Sequence, residues 1–468
     1  MTSGYGRSSS QGVAPTTFAP GFESRLERFL DHVGEALPRS DQRAKFALYT
    51  LGLLSEAERK SVEPLAAATR PDAPDAAHQA LLHFVANAPW EDRPVRRRAL
   101  AWGLWGATAR SPVRGTILDD TGMLKQGQHS VGVQRQYTGT AGKITNCQVA
   151  VTLCVFTDHD TLPLDIALYL PAVWANDAER REKARVPESV AFQTKSELAR
   201  AMLRAAHNDG VPLGDLLLAD ADYGRDPKLR ALAGELGMKY AVGIHATQRV
   251  WDAEGVWTEP MAVQELVGYM PRRSFRRLSW RDDTSGKKLS ARFAFRRVIL
   301  AEGKREPAAG AETVWLILEW RDGESEPRRF FVSDLPKRIK KKELVRRLKE
   351  RWRTERLYED LKGEVGFDHY EGRSWPGWHH HMSVVLCAYA VLVAERCMAF
   401  PPRAAVDPTR RPKRPSPRPA RRRLDPVAAP NVLEDDDHAL APALPDLRSQ
   451  LRTARAASAG GAKLNMTQ

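Results

Sequence analysis

Leu213 to Ile244, LGDLLLADADYGRDPKLRALAGELGMKYAVGI, decides the fold. LGDLLLADADYG is a short apolar run of the kind buried on both faces of a sheet, and it ends in acids, Asp220 and Asp222. DPKLRALAGELG reads as a helix and KYAVGI as the next strand. Upstream, GTILDD is a further apolar run ending in acids, Asp119 and Asp120. CQVAVTLCVF and LPLDIALYL follow as strands, and KSELARAMLRAAHNDG as an amphipathic helix stopped by Gly. Strands, helix, strand, helix, strand in this order predict a mixed α/β layered fold.

The flanks have different textures. Phe22 to about Trp105 carries apolar residues at three- and four-residue spacing, as in Phe22, Leu26, Phe29, Leu30 and Val33. Residues 21–107 are therefore expected to form a helical N-terminal domain. Within it, Ser55 and Glu58 form a capping-box signature that predicts a helix opening at SEAERKSVEPLA, and AAHQALLHFVANA predicts another. Residues 245–335, with RFAFRRVIL, TVWLILEW and RRFFVSD, suggest an antiparallel β-rich insertion between two parts of the core, 108–244 and 336–400. KKKELVRRLKERWRTERLYEDLKGEVG is helical, and the apolar stretch after Met382, carrying Glu395 and Arg396, reads as a buried helix rather than a membrane span. Residues 1–20 are Ser/Gly/Thr/Pro-rich, and the tail 401–468 is Pro- and Arg-rich; both are expected to be disordered.

Composition narrows the function. Of 468 residues, 42% are hydrophobic and 28% charged, enough to bury a large core and to exclude wholesale disorder. Lys and Arg number 72 against 58 for Asp and Glu, a formal charge of +14 that favours a polyanionic partner, nucleic acid first. Between Arg403 and Arg423 nine basic residues face one acid, Asp407, so the tail is expected either to hold phosphates without reading sequence or to act as a solubilising linker. The four cysteines show no CxxC spacing, which argues against a disulfide scaffold or a zinc knuckle. The first residues lack the apolar core of a signal peptide, so a cytoplasmic, reducing setting is expected.

Three acidic positions stand out by their placement. Strand-end carboxylates collect ligands in layered α/β sheets. Two such aspartates, joined by a glutamate from a covering helix, can clamp two divalent cations about 4 Å apart around a phosphodiester. Oxygen-only ligation suits Mg2+, with Mn2+ able to substitute. Asp119 and Asp120 point to opposite faces of their strand, so one of them is expected to reach the metals; Asp220 and Asp222 could share a face. On the basic helix, about 100° per residue puts Glu355 roughly 40° and Lys362 roughly 20° from Arg351. One face then presents a carboxylate between two cations, a pattern for binding metal while gripping the same phosphate. A plain Arg351–Glu355 ion pair explains part of this spacing but leaves Lys362 without a role.

RWRTERLYEDLK (Arg351–Lys362) resembles the Arg-Glu-Lys part of the Tyr-Arg-Glu-Lys signature of DDE-type insertion-sequence transposases. The longer stretch to YAVL, together with ILDDTG, HSVGVQRQYTGTAGKITNCQVAV and LLLADADYG, is similar to the insertion-sequence-seven-hundred-one type, related to the insertion-sequence-four group. The resemblance runs over about residues 21–400. It implies an α/β fold with an RNase H-like catalytic core interrupted by a β-rich insertion. It further implies Asp120, Asp220 and Glu355 as the catalytic, metal-holding triad, and Arg351 and Lys362 as DNA-binding cations. Asp119 and Asp222 are the alternatives, and the signature's Tyr falls at Leu348, with Tyr358 as a stand-in on the same helical face. The implied activity is metal-dependent cleavage at terminal inverted repeats and joining of the 3′-hydroxyl ends to target DNA, by a dimer on paired ends. A stand-alone nuclease and a domesticated DNA-binding protein are the rivals.

Three further features were weighed. TAGKIT (Thr140–Thr145) ends like a phosphate-binding loop, but Tyr137 stands where the first Gly is required, so no nucleotide cofactor is expected. His379, His380 and His381 are consecutive and cannot converge on one metal from a regular helix; a phosphate-facing or helix-start role is expected instead. Trp251, Trp257, Trp280, Trp315 and Trp320 are expected to be mostly core.

Overall fold

In the computed structural model, residues 20–399 are described except 256, 258, 284, 304, 305, 308 and 309. The basic tail and the first nineteen residues lie outside the described residues.

Five helices come first: α1 (Phe22–Gly34), α2 (Ser40–Leu54), α3 (Val62–Thr69), α4 (Pro74–Ala86) and α5 (Asp92–Arg110). The helix expected to open at Ser55 opens at Val62 instead. Pro64 tolerates only the first turn of a helix, so the helix cannot run through it from Ser55. Ser55 closes α2, donating its hydroxyl to the Gly52 carbonyl at 2.7 Å.

The strands β1 (Gly115–Leu124), β2 (Gln134–Thr138), β3 (Lys143–Phe156) and β4 (Thr161–Leu168) follow, then α6 (Ala172–Ala175), α7 (Ala178–Lys183) and α8 (Lys195–Asn208). Thr194 and Glu197 build a reciprocal capping box at the start of α8. The decisive stretch gives β5 (Leu216–Ala219), α9 (Ala221–Gly224), α10 (Pro227–Glu235) and β6 (Lys239–Ile244). Beyond it come β7 (Arg249–Asp252), β8 (Met261–Ala262), α11 (Val263–Tyr269), β9 (Arg276–Asp282), β10 (Lys288–Leu300), β11 (Val314–Trp320) and β12 (Arg329–Ser333). The described residues end in α12 (Lys341–Lys349), α13 (Trp352–Gly363) and α14 (Trp375–Ala399).

All twelve strands belong to one mixed sheet in the order β2-β3-β1-β5-β6-β12-β11-β10-β7-β8, with β4 on β3 and β9 on β10. β1 pairs antiparallel with β3 but parallel with β5, and β5 pairs parallel with β6. β12 pairs antiparallel with β6, so the antiparallel strands continue the same sheet.

Alternation along β1 divides the interior. Ile117 packs with Leu216, Leu218, Phe293, Ile317, Leu344 and Leu348 under α12, whereas Leu118 joins the larger core of the opposite face. That larger core also contains the N-terminal helices and α14. α14 is long and apolar enough to cross a membrane, but 83% of its apolar window is buried inside the protein, which makes it a core helix. Trp251 and Trp315 are buried, and Trp257, Trp280 and Trp320 pack partly buried against the cores.

Candidate active site

Sheet register places the acids. Leu118 of β1 is level with Ala219 of β5, so Asp119 and Asp220, one residue further on, sit side by side where the parallel pairing stops, at the end of β5 and midway along β1. Both succeed residues of the larger core, so their positions continue the face of Ile117 and Leu218, where α12 packs. Asp220 also caps α9, its Oδ1 accepting from the N–H groups of Asp222 at 3.0 Å and Tyr223 at 3.2 Å. Gly122, three residues beyond Asp119, lies against the β2–β3 turn so closely that any Cβ would overlap the Thr138 hydroxyl.

Asp119 is buried. Its Oδ2 accepts from Arg351 Nη1 and from the Thr354 hydroxyl, both at 2.7 Å, and its Oδ1 from the Asp120 N–H at 2.9 Å. Burial pushes the Asp119 carboxyl above the ordinary carboxylate range despite the guanidinium beside it. Asp220 is pushed up to about 6, first by burial and then by the charge of Asp119. Burial opposes the charge on Arg351, yet Asp119, Asp220 and Glu355 together hold it more firmly protonated than usual. One guanidinium therefore faces all three carboxylates.

Glu355 is 71% exposed, and its Oε1 lies 3.9 Å from Arg351 Nη2. The helical face read from the sequence holds, because Arg351, although it precedes the first residue of α13, has α-helical backbone angles. Lys362 donates to the Gly122 carbonyl at 2.9 Å and to the Thr140 hydroxyl at 3.1 Å, bracing the end of β1 against the β2–β3 turn. Burial lowers its ammonium below the usual lysine range.

Asp120 is placed differently. It points to the opposite face of β1, where Lys195 of α8 donates to its Oδ2 at 2.9 Å and the Tyr223 hydroxyl at 3.2 Å. Asp222 is exposed and pairs with His245 at 3.1 Å. Leu348 is buried in the core under α12, and the Tyr358 hydroxyl is spent on Thr152 at 2.6 Å, so neither is presented to a phosphate. Thr354, Lys195 and Tyr223 are the contacts that sequence reasoning missed. Thr354 had a signal, since it falls one turn after Arg351; Lys195 and Tyr223 meet Asp120 only through the tertiary fold.

The histidines correct the phosphate-facing expectation. His380 is buried, with its ring nitrogens 3.0 Å from the carbonyls of Val85 and Trp90 and its ring stacked 3.9 Å from Trp90. His381 accepts from the Tyr49 hydroxyl at 2.9 Å and donates to the Gly366 carbonyl at 3.1 Å. They tie α14 to the N-terminal helices, because that is where the early turns of α14 are buried.

Among the described residues, no three His, Cys, Asp or Glu side chains converge closely enough to hold a metal as they stand. The residues nonetheless fit a cation. Asp119 and Asp220 are adjacent and oxygen-only, the charge of Asp119 weighs on Asp220, and a guanidinium already occupies the position facing them. Glu355 could join them once Arg351 releases Asp119.

A mixed sheet with a buried and a half-buried carboxylate level on adjacent parallel strands, facing a basic helix, suits metal-assisted hydrolysis of a phosphodiester. The comparison with known families gives the particular one: residues 32–327 match the model of the DDE superfamily endonucleases, and the chain belongs to that family. The match spans Asp119, Asp120 and Asp220 and stops short of Glu355. The chain is also 29% identical over 206 residues, 44% of its own length, to a probable transposase for insertion sequence element IS701 from Microchaete diplosiphon. It spans about half (50%) of the length of that relative.

Proposed function

We propose that the protein is a DNA transposase of an insertion sequence, with Asp119, Asp220 and Glu355 holding the metal ions on an RNase H-like core. The observation that carries this reading is the level placement of Asp119, midway along β1, and Asp220, at the end of the parallel strand β5, opposite the helix of Glu355. Asp119 takes the place that the resemblance gives to Asp120, because it shares its face with Asp220 and with Arg351. Mg2+, two ions per site, would polarise the phosphodiester and stabilise charge on the leaving oxygen.

The protein's own side chains do the rest. Arg351 leaves Asp119 for a phosphate oxygen when DNA enters, which frees the aspartate and brings a fixed cation to the reacting group. Thr354 keeps Asp119 oriented during that exchange. Lys362 holds the end of β1 and carries positive charge beside the DNA path. Lys195 and Tyr223 fix the strand from behind through Asp120. The substrates are the inverted-repeat ends and target DNA, brought together by a dimer in the bacterial cytoplasm.

The test is cleavage of a labelled duplex carrying the element's ends, with Mg2+ and then EDTA, for wild type and Glu355→Gln. Metal-dependent nicking at the end boundary, lost in the variant and followed by strand transfer in the wild type, is expected. Tight binding without cleavage in any metal would point instead to a domesticated DNA-binding protein.

A further inference from the structure

The two halves of α12 treat their cations differently. In the second half, Arg346 pairs with Glu343 at 2.9 Å, Arg347 with Asp215, and Lys349 with Glu319. Ahead of it, PKRIKKK (Pro336–Lys342) places five basic residues among six positions, 337–342. Lys337, Arg338, Lys340 and Lys342 are exposed. Among the described residues, none of the four is within 4 Å of a carboxylate. They crowd the positive end of the helix dipole, where cations are unfavourable and anions are welcome.

A second group of cations stands beside them. Lys341 lies 3.0 Å over the Trp315 ring and 5.2 Å from Phe295. Phe295 follows by two residues Phe293, whose strand partner is Arg276 at the start of β9. Arg276 and Arg273 are exposed and likewise without a carboxylate partner among the described residues. β9 pairs only with β10, so the cations also line a sheet edge. The two segments form one platform of unpaired positive charge.

The platform is set apart from the carboxylates: β6, β12, β11 and β10 lie between β5 and β9, and Lys337 to Lys342 follow Asp334. The Asp334 carboxylate accepts from the Tyr240 N–H at 2.6 Å, and Arg347 reaches Asp215, both next to the beginnings of β5 and β6. Asp119 and Asp220 lie at the other end of β5, one residue past its last pair with β1. The platform and the carboxylates therefore cannot grip the same phosphates.

We infer that this platform binds duplex DNA through its phosphates, at a stretch away from the scissile bond held by the same chain. The inference rests on the DNA-processing reading above. Charge complementarity identifies the partner: regularly spaced phosphates match a field of cations that the protein itself leaves unneutralised.

The test uses the full chain, a random-sequence duplex of about 40 base pairs, and binding measured across salt concentrations. In Lys337→Gln/Arg338→Gln/Lys340→Gln/Lys342→Gln, the slope of log affinity against log salt is expected to fall by about 3 to 4, roughly 0.9 per lost phosphate contact. Affinity near 0.1 M salt should drop at least about tenfold. The variant should melt no lower than wild type, because it removes repulsion at a helix start. Lys337→Arg/Lys340→Arg/Lys342→Arg should keep both affinity and slope. An unchanged slope and affinity in the Gln variant would overturn the platform while leaving the active-site reading intact. A wild-type chain that binds no duplex would overturn both.

Discussion

Two groups of titratable side chains invite comparison: the level carboxylates Asp119 and Asp220 on β1 and at the end of β5, and the histidines of α14. In sequence, the aspartates stand out by their placement, whereas three consecutive histidines cannot converge on one metal. The fold gives the two groups opposite settings. His381 is neutral and satisfied on both ring nitrogens, and burial lowers it to about 3. Asp119 and Asp220 sit level on adjacent strands and face one guanidinium; burial pushes both up, and the charge of Asp119 raises Asp220 further. Buried groups that the protein satisfies by itself hold the fold. The carboxylates proposed to hold metal are instead kept above their usual range.

The sharpest way to break this contrast is to relieve the repulsion. Asp220→Asn keeps an oxygen that can cap α9 but loses a metal ligand. DNA cleavage is expected to fall at least about 1,000-fold. At pH 7 the same variant should be more stable than wild type by roughly 1–3 kcal/mol, since a carboxyl held near 6 rather than 3.8 opposes folding once ionised. Chemical denaturation alongside a cleavage assay checks both signs, and a less stable Asp220→Asn protein would show that the repulsion is not real.

Next in size is Arg351→Gln. It strands Asp119 without its cation, at an expected cost on the order of 2–4 kcal/mol at pH 7. Adding Asp119→Asn should restore most of that loss. A double-mutant cycle in urea measures the coupling, and additive effects would remove Arg351 as the counter-charge. His381→Phe should cost about 1–3 kcal/mol through the unpaired Tyr49 hydroxyl and Gly366 carbonyl, while leaving the cleavage rate of the folded protein within a few-fold.

The two groups also differ in sign against pH. Asp220 has a raised folded pKa, so its contribution is fully present below about 4 and is lost as pH rises towards 6. His379 and His381 are lowered, to about 4 and about 3, so theirs is present above about 6.5 and is lost as pH falls through that range. Stability of the Asp220→Asn variant should therefore decline less than that of wild type between pH 4 and 6.5. Stability curves at half-unit pH steps would show this smallest effect.

Much of the layered core was legible beforehand, because short apolar runs ending in acids and an amphipathic helix between two of them leave few arrangements. The helix opening at Ser55 was misplaced because a capping-box pattern outweighed Pro64, whose missing N–H and bulky ring confine it to a first turn. At the site, the helical face of Arg351 and Glu355 followed from rotation per residue alone. The choice between Asp119 and Asp120 did not, because alternation says that they diverge without saying which face the glutamate helix covers. The contacts of Arg351 and Thr354 with Asp119 show which face that helix covers. Nothing local in the sequence announces that Lys195, seventy-five residues from Asp120, closes the other side.

The most direct measurement is Mn2+ binding, followed by electron paramagnetic resonance, to wild type, Asp119→Asn and Asp120→Asn. The expected result is affinity lowered at least about tenfold by Asp119→Asn and changed no more than a few-fold by Asp120→Asn. Loss of Mn2+ in Asp120→Asn with retention in Asp119→Asn would contradict the placement of the metal on the face shared by Asp119, Asp220 and the glutamate helix.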